Sequence, residues 1–228
     1  MNSPEAVLLV GLGLVVYAVY RGVSALGRGK AASARYQKML PICAAHGGAP
    51  GPVDMPGVFN LAGVGFLFGL SNQFTNAADF SSRQEKRTLF FTLVTARFPG
   101  INMPLVAVTR KGLPGTPMWG PDRIGVESIE FTQRFTDTAN DKRLAFMLLD
   151  LPMIQWILDC AEVNFAMLGN GLVAYVYRGD RGGPLLKPGE PSPVAGDGSE
   201  LELLYKFVDG FGERIPAVLR AEFAAPAQ

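Results

Sequence analysis

Residues 163–178, VNFAMLGNGLVAYVYR, carry the clearest fold signal in the chain. Two runs of apolar, β-branched and aromatic residues, 163–168 and 172–178, flank the sequence Gly-Asn-Gly at 169–171. An Asn-Gly pair between two such runs is the strongest short-range signal for a tight β-hairpin, because both turn residues accept positive φ. The stretch therefore predicts an antiparallel pair of strands.

Further strands are predicted upstream of this hairpin. Residues 89–98 (LFFTLVTARF) and 104–110 (PLVAVTR) are rich in the β-branched and aromatic residues that favour buried strands. Shorter strands are predicted at 124–127 and 134–136, and the polar residues 81–87 are predicted to form a turn. Together with the hairpin, these segments indicate a sheet of about five or six strands.

Residues 58–70 (VFNLAGVGFLFGL) admit two interpretations. The stretch is apolar, but it is shorter than the ~20 residues that a membrane-spanning helix needs, and glycines interrupt it. We therefore expect a buried strand and turn here. A second membrane segment is the alternative.

Helix signals are clearest where a capping residue precedes apolar residues at helical spacing. Asp141 and Asp150 are the predicted N-caps of two consecutive helices, and Ser128 precedes a predicted helical turn. Ser199 and Glu202 have the spacing of a capping box, which predicts a final helix from residue 199.

These elements predict an α+β fold. An N-terminal transmembrane helix is expected to precede a mostly antiparallel sheet with helices packed on one face. The predicted boundaries place the transmembrane helix at 1–27, a juxtamembrane helix at 28–48, the α+β domain at 49–178, a Pro/Gly linker at 179–198 and a C-terminal helix at 199–228.

The composition excludes several functional classes. The 228 residues include 21 basic and 20 acidic side chains, so no overall positive field exists to attract nucleic acid. Two cysteines are too few for a disulfide framework. Any catalytic triad or histidine-rich metal site would depend on His46, the one histidine of the chain. We predict no cofactor and no metal.

The N-terminal segment has the composition of a membrane anchor. Residues 6–20 (AVLLVGLGLVVYAVY) contain no charged or strongly polar side chain. A helix of these residues is about 22 Å long, and its continuation to residue 26 reaches the ~30 Å thickness of the hydrocarbon core. The predicted membrane-anchoring residues are Leu8, Leu9, Val10, Leu12, Leu14, Val15 and Val16.

The charges on either side of this segment predict its orientation. Glu5 precedes the apolar run, whereas five basic residues follow it. By the positive-inside rule, the protein is a single-pass protein of the cell membrane with its C-terminal domain in the cytoplasm. The basic flank also favours an anionic leaflet. It consists of Arg21, Arg28, Lys30, Arg35 and Lys38.

Three alternatives to a membrane span are open. A cleaved signal peptide would normally begin with a basic region, which this segment lacks. A buried core helix would accommodate the shortness of the strictly apolar run. A helix lying in the membrane interface would need a one-sided apolar face, whereas this run is apolar all round.

The middle of the chain resembles a known group of proteins. The matching stretches are VAVTRKG, IGVESIEFTQRF, DKRLAFMLLDLPMIQWILDC and VNFAMLGNGLVAYV, with FGERIPAVLRAEF and RYQKMLPICAAHG at the two ends. They are similar to an uncharacterised, mostly actinobacterial family of single-pass membrane-anchored proteins with a domain of unknown function. The resemblance implies a membrane-tethered domain and brings no activity or catalytic residue with it.

The chain departs from that family in one region. Relatives usually have a longer aromatic strand pair before the strand at 89–98, whereas residues 60–88 here look shorter and rich in glycine and asparagine. The resemblance therefore implies a smaller sheet in this chain.

Two groups of residues are candidates for chemistry. Cys43 and His46 share one helix face, as a thiolate–imidazole pair or half a metal site requires. The alternative is a buried cysteine beside a histidine at a helix end. Glu127 and Glu130, with the nearby Asp137 and Asp141, are a candidate acidic site for acid–base catalysis or for binding a divalent cation.

The alternative for these acids is helix capping and surface charge. Met118 and Trp119, in a Pro/Gly-rich loop, are candidate contact residues for lipid or a protein partner, unless the tryptophan folds onto the domain.

The preferred function is a non-enzymatic interaction or adaptor domain. It would be held at the bilayer by the N-terminal helix and would bind another membrane or cytoplasmic protein. The alternative is a membrane-associated enzyme or small-molecule binder that uses Glu127 and Glu130.

Overall fold

The computed structural model describes most of the chain after residue 36. Among these residues, no helix is long and apolar enough to cross a bilayer. The predicted anchor at 6–26, its basic flank except Lys38, and the Met118–Trp119 pair lie outside the described residues. The described ranges are 37–50, 57–61, 64–68, 75–84, 87–112, 122–160, 163–182 and 198–224.

Ten strands occur in the described ranges. They are β1 (Ala49–Pro50), β2 (Gly57–Leu61), β3 (Val64–Phe68), β4 (Thr75–Gln84), β5 (Arg87–Arg97), β6 (Met103–Arg110), β7 (Asp122–Arg123), β8 (Phe135–Ala139), β9 (Asn164–Gly169) and β10 (Gly171–Gly182).

Eight of the strands form one sheet, in the order β1-β4-β5-β10-β9-β6-β8-β7, and β2 and β3 form a separate antiparallel pair. Within the large sheet, every neighbouring pair is antiparallel except β1 and β4. The prediction of a mostly antiparallel α+β fold is therefore confirmed.

The hairpin predicted at 163–178 is formed by β9 and β10. Gly171 pairs with Leu168 across a turn in which Gly169 has a φ of 62°, a value that glycine adopts without steric cost. Strand β10 continues to Gly182, beyond the predicted start of the linker at 179, because its distal half pairs with the first residues of β5.

Two sequence predictions about strands are wrong in detail. Residues 81–84, predicted as turn, belong to β4, because Gln84 pairs with Arg87 and only two residues connect the strands. The strand predicted at 124–127 is absent from the described structure, where β7 lies at Asp122–Arg123. The main chain turns away at Gly125, which has a φ of 71° and donates its N–H to the Asp137 carboxylate at 3.0 Å.

The helices begin largely where their capping residues predict. Asp141 and Asp150 accept hydrogen bonds from the main-chain N–H groups three residues ahead, at 3.1 and 2.9 Å, and Ser128 does the same at 3.3 Å. The helices are α1 (residues 37–45), α2 (Ile129–Arg134), α3 (Lys142–Leu148), α4 (Leu151–Asp159), α5 (Ser199–Arg214) and α6 (Ala217–Glu222).

The C-terminal region differs from its prediction. Gly198, with a φ of 101°, is the N-cap of α5 and makes no side-chain capping bond, so the capping box predicted at Ser199 does not begin the helix. Residues 199–222 form two helices because Pro216 lacks the N–H that would continue α5 and holds Ile215 in an extended conformation.

The main core lies between the sheet and α5. Val94, Ala174, Phe165 and Val108 pair in one row across β5, β10, β9 and β6, and all four are fully buried. The Phe165 ring lies 5.5 Å from Phe207 and 5.1 Å from Phe211, both of which belong to α5. These aromatic contacts fix α5 on the sheet, which positions everything that α5 presents to solvent.

Candidate functional site

A cleft of about 390 Å³ lies beside α5, where β5 ends. One wall comes from the last residues of β5 and the residue after it, the other from α5, and α6 contributes one arginine. We call this feature the α5 cleft. It is lined by Ala96, Arg97, Phe98, Val208, Asp209, Gly212, Glu213 and Arg220.

The apolar part of the α5 cleft depends on a close approach between a ring and a helix. A Cβ atom on Gly212 would lie 2.8 Å from Cε1 of Phe98, a distance that side chains do not tolerate. The absence of a side chain at 212 lets the Phe98 ring lie against α5, with its centroid 6.1 Å from that of Phe211. Gly212 therefore helps to shape the cleft.

Arg220 is held in place by main-chain atoms. Its Nε donates to the Ile215 carbonyl oxygen at 3.3 Å, and its Nη2 donates to the Gly212 carbonyl oxygen. Both carbonyls belong to the C-terminal end of α5, where the helix dipole attracts a cation. The guanidinium thus caps α5 and places a positive charge in the cleft.

Asp209 connects the cleft to α1. Its Oδ2 lies 3.1 Å from Nδ1 of His46, and because a carboxylate only accepts, the imidazole carries the hydrogen on Nδ1. The imidazole ring also stacks on Tyr205, with centroids 4.3 Å apart and planes 2° from parallel. The end of α1 is therefore attached to the same face of α5 that borders the cleft.

The predicted Cys43–His46 pair has two different environments. Cys43 is fully buried in the main core, whereas His46 lies at the surface and points its imidazole towards α5. Both cysteines of the chain are buried, and neither forms a disulfide. Burial also raises the pKa of the Cys160 thiol above its ordinary value.

The candidate acidic residues perform separate local tasks. Glu127 is exposed, and Glu130 pairs with Arg134 one turn along α2 at 3.2 Å. Asp137 is buried and accepts the Gly125 N–H, while Asp141 caps α3. Among the described residues, no three Cys, His, Asp or Glu side chains are grouped as a metal site requires.

Of the predicted membrane-facing residues, the structure describes one. Lys38 is exposed on α1. The anchor residues, the other four basic residues and the Met118–Trp119 pair stay predictions from the sequence.

The residues of the α5 cleft were not candidates in the sequence. A partial signal exists for two of them, because Asp209 and Glu213 are four residues apart and share a helix face. No local pattern connects them to Arg97 and Phe98, which lie at the end of β5, more than a hundred residues earlier.

No family model matches the chain, and no curated protein matches its sequence. Among solved structures, it is similar to the crystal structure of the mycobacterial trehalose monomycolate transport factor A, TtfA, with 12% identity and a TM-score of 0.40. The likeness covers 65% of this chain and 75% of that one.

Proposed function

We propose that the chain is a membrane-anchored, non-enzymatic binding domain that recruits a partner polypeptide through the α5 cleft. The observation that supports this proposal is the cleft itself. It is open to solvent and combines an apolar surface at Phe98 with side chains of both charges. An apolar centre with a charged, hydrated margin is the usual composition of a protein interface.

The positions of the charged side chains also favour recognition. Arg220 is fixed by two carbonyl groups of α5, and Asp209 is oriented by His46. Groups that are already held in place lose little conformational entropy when a partner binds, so less binding energy is spent on ordering them.

The N-terminal sequence supports the location that we propose. The segment 6–26, whose first fifteen residues are strictly apolar, would anchor the protein in the cell membrane, and the basic flank would hold the binding domain on the cytoplasmic side. A C-terminal alkaline phosphatase fusion tests this orientation. We expect an inactive fusion, and strong phosphatase activity outside the cytoplasm would overturn the proposed location.

Charge reversal within the cleft tests recruitment. Glu213 and Glu130 are matched glutamates, since both are well exposed on a helix, at 82% and 66%, and each lies within 4 Å of an arginine. The tagged full-length protein would be purified from native membranes as wild type, Glu213→Lys and Glu130→Lys. We expect a co-purifying protein that Glu213→Lys loses and Glu130→Lys retains.

The outcome that refutes recruitment through the cleft is equal recovery of every associated protein with the two variants. Recovery of a small molecule in place of a protein would instead support a ligand-binding pocket, because 390 Å³ is within the usual size range of such pockets. Either result would overturn the proposed function.

A further inference from the structure

We infer that the polypeptide segment bound in the α5 cleft carries charges of both signs, a basic side chain for Asp209 and Glu213 and a carboxylate for Arg220. An apolar side chain between them would contact Phe98. This inference rests on the proposed function and adds the chemistry of the partner to it.

The first support is the position of the basic residues of α5, which do not line the cleft. Lys206 and Arg214 are directed towards Trp156 of α4, with the ammonium 5.7 Å and the guanidinium carbon 4.1 Å from the ring centroid. Arg214 also donates to the Gly210 carbonyl oxygen at 2.9 Å. The two basic residues of α5 are therefore engaged on the face that packs against α4.

Two of the four acidic residues of α5, Asp209 and Glu213, line the cleft. Asp209 and Glu213 are one helical turn apart, with 58% and 82% of their side chains exposed. The nearest described cation to Glu213 is Arg214, at 3.9 Å and already bound elsewhere. Two like charges one turn apart repel each other, so a cation placed between them relieves a repulsion as well as gaining an attraction.

The positively charged side chains of the cleft come from two other elements. Arg220 reaches it from α6, and Arg97 reaches it from the end of β5. The bonds that hold Arg220 go to neutral carbonyl groups, so its full positive charge stays available to a carboxylate.

A ligand with charge of one sign would be repelled by half of the charged groups that line the cleft. A segment with both signs would be attracted at each end, and Ala96, Phe98 and Val208 would accept an apolar side chain between them. Such a pattern favours one kind of partner and rejects others, which is how charged groups contribute to interface specificity.

Short capped peptides test this chemistry directly. The probes are acetylated, amidated Gly-Lys-Leu-Glu-Gly and its reverse Gly-Glu-Leu-Lys-Gly, with Gly-Gln-Leu-Gln-Gly as the uncharged control. Each would be added at up to ~10 mM to the isotope-labelled full-length protein in nanodiscs, and amide shifts of Phe98 and Gly212 would be recorded.

We expect at least one mixed-charge peptide to shift these amides and the uncharged peptide to bind several-fold more weakly. Glu213→Gln should weaken binding about two- to fivefold, the range for one exposed ion pair, whereas the matched Glu130→Gln should not change it. Equal binding of the charged and uncharged peptides, no shifts at all, or insensitivity to Glu213→Gln would overturn the inference. If partner recovery still depends on Glu213 in that case, the proposed function stands and only the partner chemistry is wrong.

Discussion

Asp209 and His46 are separated by 163 residues in the sequence, yet their side chains meet at 3.1 Å and join α1 to α5 at the edge of the α5 cleft. Asp209 therefore has two roles, since it orients the imidazole and also lines the cleft. The helix that follows the predicted anchor is in this way attached to the proposed binding surface.

Removal of this contact should loosen α1. Asp209→Ala eliminates the carboxylate acceptor but keeps the stacking of His46 on Tyr205, so we expect α1 amides to exchange about two- to fivefold faster. Hydrogen exchange measured by mass spectrometry on the full-length protein checks this. Lys38→Ala, a change elsewhere on the exposed surface of α1, is the control. Unchanged exchange in Asp209→Ala would contradict the role assigned to the pair.

Gly210→Ala should destabilise the domain even though alanine is the better helix former. A Cβ atom at 210 would lie 2.4 Å from the Trp156 ring, so the ring or α5 has to move. We expect a loss of roughly 1–3 kcal/mol in the free energy of unfolding, as is typical of overpacking.

Urea denaturation gives the measurement for Gly210→Ala. In the Trp156→Ala background the clash is gone, and the same glycine-to-alanine change should instead stabilise the helix by up to about 1 kcal/mol. A similar loss in both backgrounds would show that the contact with Trp156 is not the cause.

Asn164→Leu should be one of the most damaging single changes in the sheet. The buried Asn164 accepts the Arg110 N–H at 2.6 Å and donates to the Tyr175 carbonyl oxygen at 3.2 Å, and so bridges β6 and β10. Leucine has a similar size but removes both bonds. One buried and one half-buried main-chain group would lose a partner, which costs about 1–4 kcal/mol in total. A loss below 1 kcal/mol in a chemical denaturation experiment would argue against this bridge.

Neutralising the acidic residues one at a time should reduce the free energy of unfolding by different amounts, according to the role of each residue. Asp141→Ala removes the N-cap of α3 and should cost about 1 kcal/mol, whereas Asp141→Asn retains most of the capping bond. Glu127→Gln, at an exposed position, should change the unfolding free energy by less than about 0.5 kcal/mol. Thermal unfolding of the three variants distinguishes these effects, and a large loss for Glu127→Gln would reveal a role that the structure does not assign to it.

Cys160 should react slowly with thiol reagents. Burial raises the pKa of its thiol, so less of the reactive thiolate exists at any given pH. The raised pKa also favours the folded state while the thiol is protonated, and this contribution is lost as the pH rises through the alkaline range. Thiol titration before and after denaturation tests the first point. Cys160→Ala should remove the alkaline loss of stability attributable to this thiol.

The sequence predicted those parts of the fold that depend on neighbours along the chain. The Gly-Asn-Gly turn specified the β9–β10 hairpin, and Asp141 and Asp150 marked helix starts, because each signal acts over a few residues. The position of β7 was missed because the main chain turns at Gly125, where the N–H binds the Asp137 carboxylate. Asp137 lies fifteen residues after the start of β7, too far along the chain for a local pattern to reveal the contact.

The candidate site was missed for the same reason. Phe98 follows β5, Asp209 belongs to α5 and Arg220 to α6, and these parts of the chain meet only after the sheet and α5 have packed. Gly212 could not be recognised as part of a cleft until the Phe98 ring was seen against it. Charged residues on a helix are usually solvated, so their convergence on one cleft has no local signature.

The central claim, that the α5 cleft recruits a protein, is tested most directly by photo-crosslinking in living cells. The photoreactive amino acid p-benzoylphenylalanine would replace Glu213 in the full-length chain, and the same replacement at Glu130 would serve as the matched position outside the cleft. We predict a discrete protein adduct from position 213 that is absent from position 130 and disappears when Asp209→Lys is added. Adducts of the same size and yield from both positions, or none from position 213, would contradict the account.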